Sequence, residues 1–192
     1  MLTIEELESA WQAATAAPRE RGTVRLICLR KAGGRHETPD EAEVAPGIGL
    51  VGDRWSEREP GRDPDGYSAV TLINATVAEL IAAGHQPLDA AGDNLHVDLD
   101  IAVDALPAGT QLLVGSALLR VSEQPHTGCS TFSGKFGLDA LKWVSTPDGR
   151  RRRLRGVNCS VLEGGTVRVG DPIVVLHRPA ASTEPDEATA IA

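Results

Sequence analysis

The sequence predicts a mainly β fold of the α+β class, a β-barrel with two or three peripheral helices. Six short apolar runs follow Asp93 at close spacing: NLHVDLDI, TQLLVG, ALLRVSEQ, GVNCSVL, TVRVG and PIVVLH. Three glycine dipeptides of the hairpin type lie between them: Gly115-Ser116, Gly164-Gly165 and Gly170-Asp171. Short strands joined by glycine turns are typical of barrels and sandwiches.

The N-terminal residues predict one helix and one strand. Thr3 and Glu6 have the spacing of a capping box, and Leu7 and Trp11 share one helical face, so we expect a short helix over residues 3–16. The run TVRLICLRK (23–31) alternates in the manner of a strand, which would bury Val24, Leu26 and Cys28 on one face.

Further elements follow in order. Residues 32–68 are rich in Gly, Pro, Asp and Arg, which predicts long loops with short strand pieces. The run SAVTLI (68–73) predicts a strand. Asn74 then caps a helix that runs to about Ala83 and ends at Gly84.

The only interruption of the later strand pattern is FGLDALKWV (136–144). Its apolar spacing predicts a helix whose inward face carries Leu138, Leu141 and either Trp143 or Val144.

Length and composition limit the organisation and class of the protein. The 192 residues with 41% hydrophobic content suit one core. We expect an N-terminal helix and linker (1–21), a barrel domain (22–178) and a disordered, acidic tail (179–192).

Charge and cysteine content exclude several classes of partner. The net charge of −8 argues against nucleic-acid and anionic-membrane binding, and no apolar run is long enough to span a bilayer. The N-terminus lacks the pattern of a signal peptide, and the cysteine count is odd. These features predict a cytoplasmic protein with reduced thiols.

The stretch QPHTGCSTFSGKFG (124–137) contains the most reactive combination of side chains. Cys129 follows a predicted strand in a polar loop, where His126 and Lys135 could supply positive charge, and nearby hydroxyls could donate hydrogen bonds. A thiolate there could be a nucleophile, a persulfide carrier or a ligand for a soft metal. The alternative is an inert small residue packed on the barrel.

The other two cysteines predict packing rather than chemistry. Cys28 and Cys159 lie inside strand patterns, where a free cysteine acts as a small hydrophobe. There is no CxxC pair and no HxxxH spacing, so the sequence does not predict a zinc site.

Five arginines in GRRRRLRG (149–156) form a basic cluster in an acidic chain. Guanidinium groups suit phosphate, carboxylate or a molybdate-like oxyanion, whereas a solvated strand edge is the alternative. If the segment is extended, residues 151, 153 and 155 share one face. Asp53, Asp93 and Asn94 follow glycines and by themselves predict turns.

Taken together, the motifs resemble one known family. The order GLVGDRW, AVTLINATVAEL, GDNLHVDLD, LPAGTQLLVGSALLRVSEQPHTGC and RLRGVNCSVLEGGTVRVGDPIVV is similar to that of the MOSC domain, over about residues 22–178. This domain is the C-terminal part of molybdenum cofactor sulfurases and also occurs alone. The resemblance implies a strand-rich barrel that binds a molybdopterin-type cofactor.

The resemblance also implies site residues. In reductase members the cysteine after this strand ligates molybdenum, which implies Cys129 as metal ligand and catalytic residue, with His126 beside it. The cofactor-binding residues implied in the same way are Asp93, Asn94, Thr127, Arg153 and Arg155. Many reductase relatives have Arg-x-Pro before the cysteine, whereas this chain has His-Thr-Gly.

Three functions follow as alternatives. The first is a molybdenum-cofactor-binding protein of the reductase type, served by an electron-donor protein. The second is a sulfur carrier with a persulfide on Cys129, supplied by a cysteine desulfurase because the pyridoxal-phosphate domain of the sulfurases is not part of the matched pattern. The third is a non-catalytic module that binds anions or another protein.

Overall fold

The computed structural model describes residues 1–57, 63 and 65–179. The α-helices are α1 (Ile4–Ala13), α2 (Ala75–Ala82), α3 (Ser130–Ser145) and α4 (Pro147–Arg151). The strands are β1 (Arg21–Ile27), β2 (Leu29–Arg30), β3 (His36–Glu37), β4 (Glu41–Ala45), β5 (Gly49–Leu50), β6 (Val70–Asn74), β7 (Leu95–Asp98), β8 (Gln111–Val114), β9 (Ala117–Val121), β10 (Val157–Glu163), β11 (Gly165–Arg168) and β12 (Pro172–His177). The predicted disordered tail (179–192) lies outside the described part of the chain except for Pro179.

Seven of the described strands close into a barrel, which confirms the predicted β-barrel; their order is β1-β12-β8-β9-β10-β6-β7. Neighbours pair antiparallel except β6 and β7, which are parallel and are connected through α2. The interior is filled by fully buried aliphatic side chains, including Val24, Leu72, Leu95, Leu112, Leu119 and Ile173. Branched side chains supply this core because aromatics make up only 3% of the chain.

One of the three predicted hairpins is present, and two are not. Gly115-Ser116 does join β8 and β9, which pair with each other. The other two predictions are wrong. After Gly164, strand β11 pairs with β4 in a separate three-stranded sheet, and after Gly170-Asp171, strand β12 pairs with β1 and β8. A glycine turn allows a reversal of the chain but does not determine which strand becomes the partner.

The alternation predicted for β1 is interrupted. The pairing of β1 with β7 shifts register between Val24 and Leu26, so Ile27 rather than Leu26 is buried. Such a bulge reverses the side-chain faces beyond it. Cys28 lies between β1 and β2 and is fully buried.

The helices form a second apolar cluster against one side of the barrel. The capping box of Thr3 and Glu6 is present at the start of α1, as predicted. The side chain of Asn74 accepts hydrogen bonds at the start of α2, again as predicted. Leu7, Phe132 and Trp143 are buried in this cluster.

Helix α3 differs from its prediction at both ends. It begins at Ser130, so most of the predicted polar loop is helical, and it contains a break at Gly137 with φ 87° and ψ 169°. The break turns Leu138 outward, where it is 65% exposed, so the predicted inward position is wrong. The prediction placed either Trp143 or Val144 inward, and both are buried.

The arginine cluster is not extended. It begins on α4 and continues through turns to Arg153, which has φ 51°. The predicted sharing of one face by residues 151, 153 and 155 therefore does not apply. In the described residues, no helix has the length and apolar character needed to cross a membrane. The domain bounds stay a prediction.

Candidate functional site

Cys129 lies at the junction of a loop and a helix. It ends the segment that follows β9 and is the N-cap residue of α3, with an extended backbone. Cys129 is exposed, whereas Cys28 and Cys159 are buried. Gly128 packs against α3, since a Cβ at this position would lie 2.5 Å from Leu141 Cδ1. A larger residue before the cysteine would therefore require Leu141 to move.

The N-terminus of α3 activates the thiol of Cys129. The backbone N–H of Phe132 lowers its pKa most, and the N–H and hydroxyl of Thr131 and the charge of Arg155 lower it further, against an opposing effect of partial burial. Hydrogen-bond donors at a helix N-terminus stabilise a negative charge. A thiolate at Cys129 is therefore favoured over that of an ordinary cysteine.

The predicted sources of positive charge are not the ones observed. Burial lowers the pKa of His126 to about 4, despite the nearby carboxylate of Asp93, so this imidazole is neutral at pH 7. Lys135 Nζ donates to the carbonyl of Ala90 at 2.8 Å. Arg155 is the cation that acts on Cys129.

Arg155 is held in place by Asp93 and an aromatic ring. Its Nη1 lies 2.7 Å from Asp93 Oδ2, its Nη2 donates to the carbonyl of Ala91, and its guanidinium lies 5.2 Å from the centre of the Phe132 ring. Asp93 is fully buried. Because one face of the guanidinium is packed and two nitrogens are bonded, Arg155 has a fixed position.

Three buried polar atoms around this pair have no hydrogen-bond partner: Asp93 Oδ1, His126 Nδ1 and Arg155 Nε. His126 Nδ1 lies 3.3 Å from Asp93 Oδ1, although the two are not aligned for a hydrogen bond. Gly156, with φ 101°, allows this close approach, since a Cβ there would lie 3.2 Å from His126 Nδ1. Buried polar atoms are normally satisfied, so these atoms indicate a place for a ligand or water.

A cavity of about 340 Å³ opens beside these residues. His126, Thr127, Arg150, Arg153 and Arg155 line it, whereas Cys129 does not. The volume suits a small molecule, and three guanidinium groups suit an anion. A second cavity, of about 370 Å³, lies between α1 and the barrel but includes neither these three arginines nor Cys129.

The arginines of the cluster have separate tasks. Arg151 and Arg152 form ion pairs with Asp148, and Arg152 also pairs with Glu8. Arg153 Nη1 donates to the carbonyl of Leu106 at 2.6 Å. Among the five arginines of this cluster, all of which the structure describes, only Arg150 has a guanidinium with no ion-pair or hydrogen-bond partner. Arg150 is therefore the arginine most available to a ligand, a distinction that the run of identical residues could not reveal.

Asn94 is part of a buried network rather than of the cavity wall. Its Oδ1 accepts from Arg30 Nη2 at 3.1 Å and from Thr71, and its Nδ2 donates to the Cys28 carbonyl and to Asp53. Asp53 in turn accepts from the guanidinium of Arg30 with both oxygens, Oδ2 from Nε and Oδ1 from Nη2. Asp53 and Asn94 thus join the segments around β2, β6 and β7.

Within the described residues, one group of three side chains has the spacing of a metal site, and it does not include Cys129. It consists of Cys28, His36 and Asp89.

The model of the MOSC domain matches residues 67–174, which is more than half of the chain and includes Asp93, Cys129 and the arginine cluster. The chain belongs to the MOSC domain family. This confirms the resemblance predicted from the sequence motifs.

Solved structures of other proteins share the fold of this chain. The YuaD protein from Bacillus subtilis has 16% identity, with 80% of this chain and 94% of that chain covered and a TM-score of 0.61. YiiM from Geobacillus stearothermophilus has 19% identity, coverage of 83% and 77%, and a TM-score of 0.58. YiiM from Escherichia coli has 20% identity, coverage of 82% and 71%, and a TM-score of 0.55.

At identities this low, the similarity shows only that these proteins share a fold with this chain. No curated protein matches the chain. Cys28 and His36 lie before the MOSC match, whereas the cavity residues and Cys129 lie within it.

Proposed function

We propose that the protein binds the molybdenum cofactor, a molybdopterin, and that Cys129 is the molybdenum ligand in a reductase-type role. The observation that carries the proposal is the exposed Cys129 with its lowered pKa, next to an arginine-lined cavity in a MOSC domain. Thiolates are preferred ligands of soft metal ions.

The residues present fit this cofactor. Its phosphate needs cations, and Arg150 has a free guanidinium at the cavity wall. Its pterin ring carries donors and acceptors, and the buried Nδ1 of His126 and Nε of Arg155 lack partners. The donor set and the orphaned atoms are therefore complementary to a phosphorylated heterocycle.

Each residue has a distinct task in the proposal. Arg150 binds the phosphate, with Arg153 and Arg155 adding positive charge to the cavity, and Thr127 donates a hydrogen bond from its hydroxyl. Asp93 holds Arg155, and Asn94 holds the segment that carries Asp93. His126 is neutral at pH 7, and its partnerless Nδ1 can form a hydrogen bond with the pterin ring. When bound, the cofactor supplies a metal centre for oxidation and reduction, served by an electron-donor protein.

A sulfur carrier is the second candidate, and the contrast among the cysteines favours it. Cys129 is exposed with a lowered pKa, whereas burial raises the pKa of both Cys28 and Cys159 to about 12. Of the three thiols, only that of Cys129 can attack a partner at neutral pH. In this role Cys129 would accept a persulfide sulfur from a cysteine desulfurase.

Cofactor analysis of protein from a molybdopterin-producing host tests the proposal. We expect molybdenum and pterin in the wild type, loss of molybdenum in Cys129→Ala, and loss of most pterin in Arg150→Gln. Arg151→Gln is the matched control, because it removes the same charge from an exposed arginine that pairs with Asp148 outside the cavity.

The two candidates give different results. Absence of molybdenum and pterin from the wild type, under conditions that load another MOSC protein, would contradict cofactor binding. A mass increase of one sulfur atom on Cys129 alone, after incubation with a cysteine desulfurase, would then support the carrier. Equal sulfur on Cys28 and Cys159 would contradict it.

A further inference from the structure

A second constellation of reactive side chains lies outside the cavity. The Sγ of Cys28, an imidazole nitrogen of His36 and a carboxylate oxygen of Asp89 all lie within 4.8 Å of one another. His36 Nδ1 and Asp89 Oδ2 are 3.3 Å apart. The three residues come from separate segments, so no spacing motif in the sequence indicates the group.

The backbone holds each of the three side chains in place. The Cys28 N–H donates to the Asn94 carbonyl at 2.7 Å, and its carbonyl accepts from Asn94 Nδ2 at 3.1 Å. His36 is paired across β2 and β3 with Arg30, whose guanidinium is fixed by Asp53. Asp89 lies in a single turn of 3₁₀ helix, where its carbonyl accepts from the Gly92 N–H.

The group is closed on the cysteine side and accessible on the other. Cys28 is fully buried, while the side chains of His36 and Asp89 are 13% and 18% exposed. A metal ion could therefore enter past the imidazole and the carboxylate and reach the thiol last.

The chemistry of the donors selects the metal. Thiolate, imidazole and carboxylate are the three ligand types that zinc accepts, and zinc sites with three protein ligands keep a fourth position for water. We propose that Cys28, His36 and Asp89 bind a zinc ion, with the fourth position facing solvent. This site is separate from Cys129 and does not depend on the proposed cofactor.

Binding requires the loss of one proton and no oxidation. The S–H bond of Cys28 breaks, a zinc–sulfur bond forms, and the proton leaves to solvent, while His36 and Asp89 contribute lone pairs. Burial is the main reason that the pKa of Cys28 is raised to about 12, and Asp89, Asp93 and Asp53 raise it while Arg30 lowers it. Because zinc must displace this proton, the apparent affinity increases with pH.

The site would also stabilise the cavity indirectly. Asp89 precedes Asp93 and Asn94 in one short segment, and the carbonyl of Ala91 in that segment accepts from Arg155. A zinc ion bound to Asp89 would restrict this segment and so the position of Arg155.

Zinc binding by the full chain tests the inference. The protein is stripped with a chelator, and zinc affinity is measured in competition with a chromophoric chelator for the wild type, His36→Ala and Asp89→Asn. We expect one zinc ion per wild-type chain. Each variant should lose more than the roughly 10- to 100-fold in affinity that removal of an outer-shell partner costs. The variants His36→Ala and Asp89→Asn change partly exposed residues, so both should fold.

Matched controls separate this site from the exposed thiol. His85→Ala removes an exposed histidine, Cys129→Ala removes the exposed thiol, and both should bind zinc as the wild type does. Cobalt should give a thiolate charge-transfer band in wild type and Cys129→Ala but not in Cys28→Ser. Zinc affinity equal in the wild type and His36→Ala, or a loss confined to Cys129→Ala, would overturn the inference.

Discussion

The three cysteines of the chain occupy three different environments. Burial raises the pKa of Cys28 and Cys159 to about 12, while Cys129 is exposed at the N-terminus of α3 with a lowered pKa. Cys28 lies beside His36 and Asp89, whereas Cys159 lies in the barrel core. Residues of one type therefore differ in reactivity because of their positions alone.

Selective alkylation checks this difference. Iodoacetamide should label Cys129 alone in the folded protein, and the rate should rise with pH to a midpoint below 9.0, the ordinary value for a thiol. Thr131→Val removes a hydroxyl that lowers the pKa of Cys129, so it should raise the midpoint. A midpoint at or above 9.0 in the wild type, or labelling of Cys28 and Cys159 without denaturant, would contradict the assignment.

His126 makes the stability of the protein depend on pH. Burial lowers its pKa from 6.5 to about 4 in the folded chain. Between these values the unfolded chain binds a proton that the folded chain does not, so the stabilisation is complete above pH 6.5 and decreases as the pH falls towards 4. We expect a loss of about 3 kcal/mol over this range.

Urea unfolding of the wild type and His126→Gln at pH 7 and pH 4 measures this contribution. The variant should lose less stability on acidification than the wild type, although the buried His96, whose pKa is also lowered, continues to contribute. His85→Gln, which changes an exposed histidine, is the control. Equal losses in the wild type and His126→Gln would show that His126 is not the group responsible.

At this scale the sequence predicts residue types better than their roles. The position of Cys129 after a strand was predictable from the motif, and so was the presence of a cluster of arginines. The free guanidinium of Arg150 was not, because it depends on which carboxylates reach Arg151, Arg152 and Arg155 in three dimensions.

The break in helix α3 determines the direction of its two halves. Gly137 has φ 87° and ψ 169°, a conformation open almost only to glycine. A Cβ there would also lie 2.8 Å from Met1 Sδ. The first half of α3 presents Cys129 and Phe132, and the second half packs Trp143 into the helical cluster.

Substitution of two glycines in the same helix tests the break. Gly137→Ala should destabilise the protein by roughly 1–3 kcal/mol, because it forces a side chain into a strained conformation. Gly134→Ala is the matched control: no atom lies within 4 Å of its Cβ position, so it should stabilise the helix by about 0.5–1 kcal/mol. Equal effects of the two changes in denaturant unfolding would contradict this account.

The start of α3 shows why an element was predicted with the wrong bounds. Residues 130–135, STFSGK, contain serine, threonine and glycine, which favour turns when taken alone. The burial of Phe132 and Phe136 against the other helices outweighs this preference. Helix existence was therefore predictable from Leu141, Trp143 and Val144, whereas its N-terminus depended on tertiary packing.

The whole molecule contains two apolar cores of different origin. One fills the barrel, and the other joins α1, α2 and α3 outside it. Glu8 of α1 accepts hydrogen bonds from Trp143 and Arg152, so polar contacts also join the first helix to the site segment. The N-terminal helix is thus part of the support beneath the arginine cluster.

Truncation of one leucine in each environment measures the second core. Leu7 is 1% exposed. Leu7→Ala should therefore lower the free energy of unfolding of the protein by about 2–5 kcal/mol, because the substitution leaves a cavity. Leu138→Ala, at 65% exposure, should change the stability by less than about 0.5 kcal/mol. A large loss of unfolding free energy in Leu138→Ala would indicate that Leu138 faces inward, as the sequence predicts, and would contradict this account.

The barrel itself was predictable because its strands are short, apolar and separated by glycine turns. Apart from the β8–β9 hairpin, the pairing was not predictable, since β1 pairs with β7 and β12 and β11 pairs with β4, all distant along the chain. Local spacing contains no information about such partners.

The position of β1 between β7 and β12 has a consequence for biosynthesis. As the chain leaves the ribosome, β1 can pair with β7 on one side, but its other edge stays open until residues 172–177 have emerged. One edge of β8 also stays unpaired until β12 has emerged. Unpaired strand edges can pair with other chains, so we expect aggregation of the nascent chain to be greatest in the interval before β12 emerges.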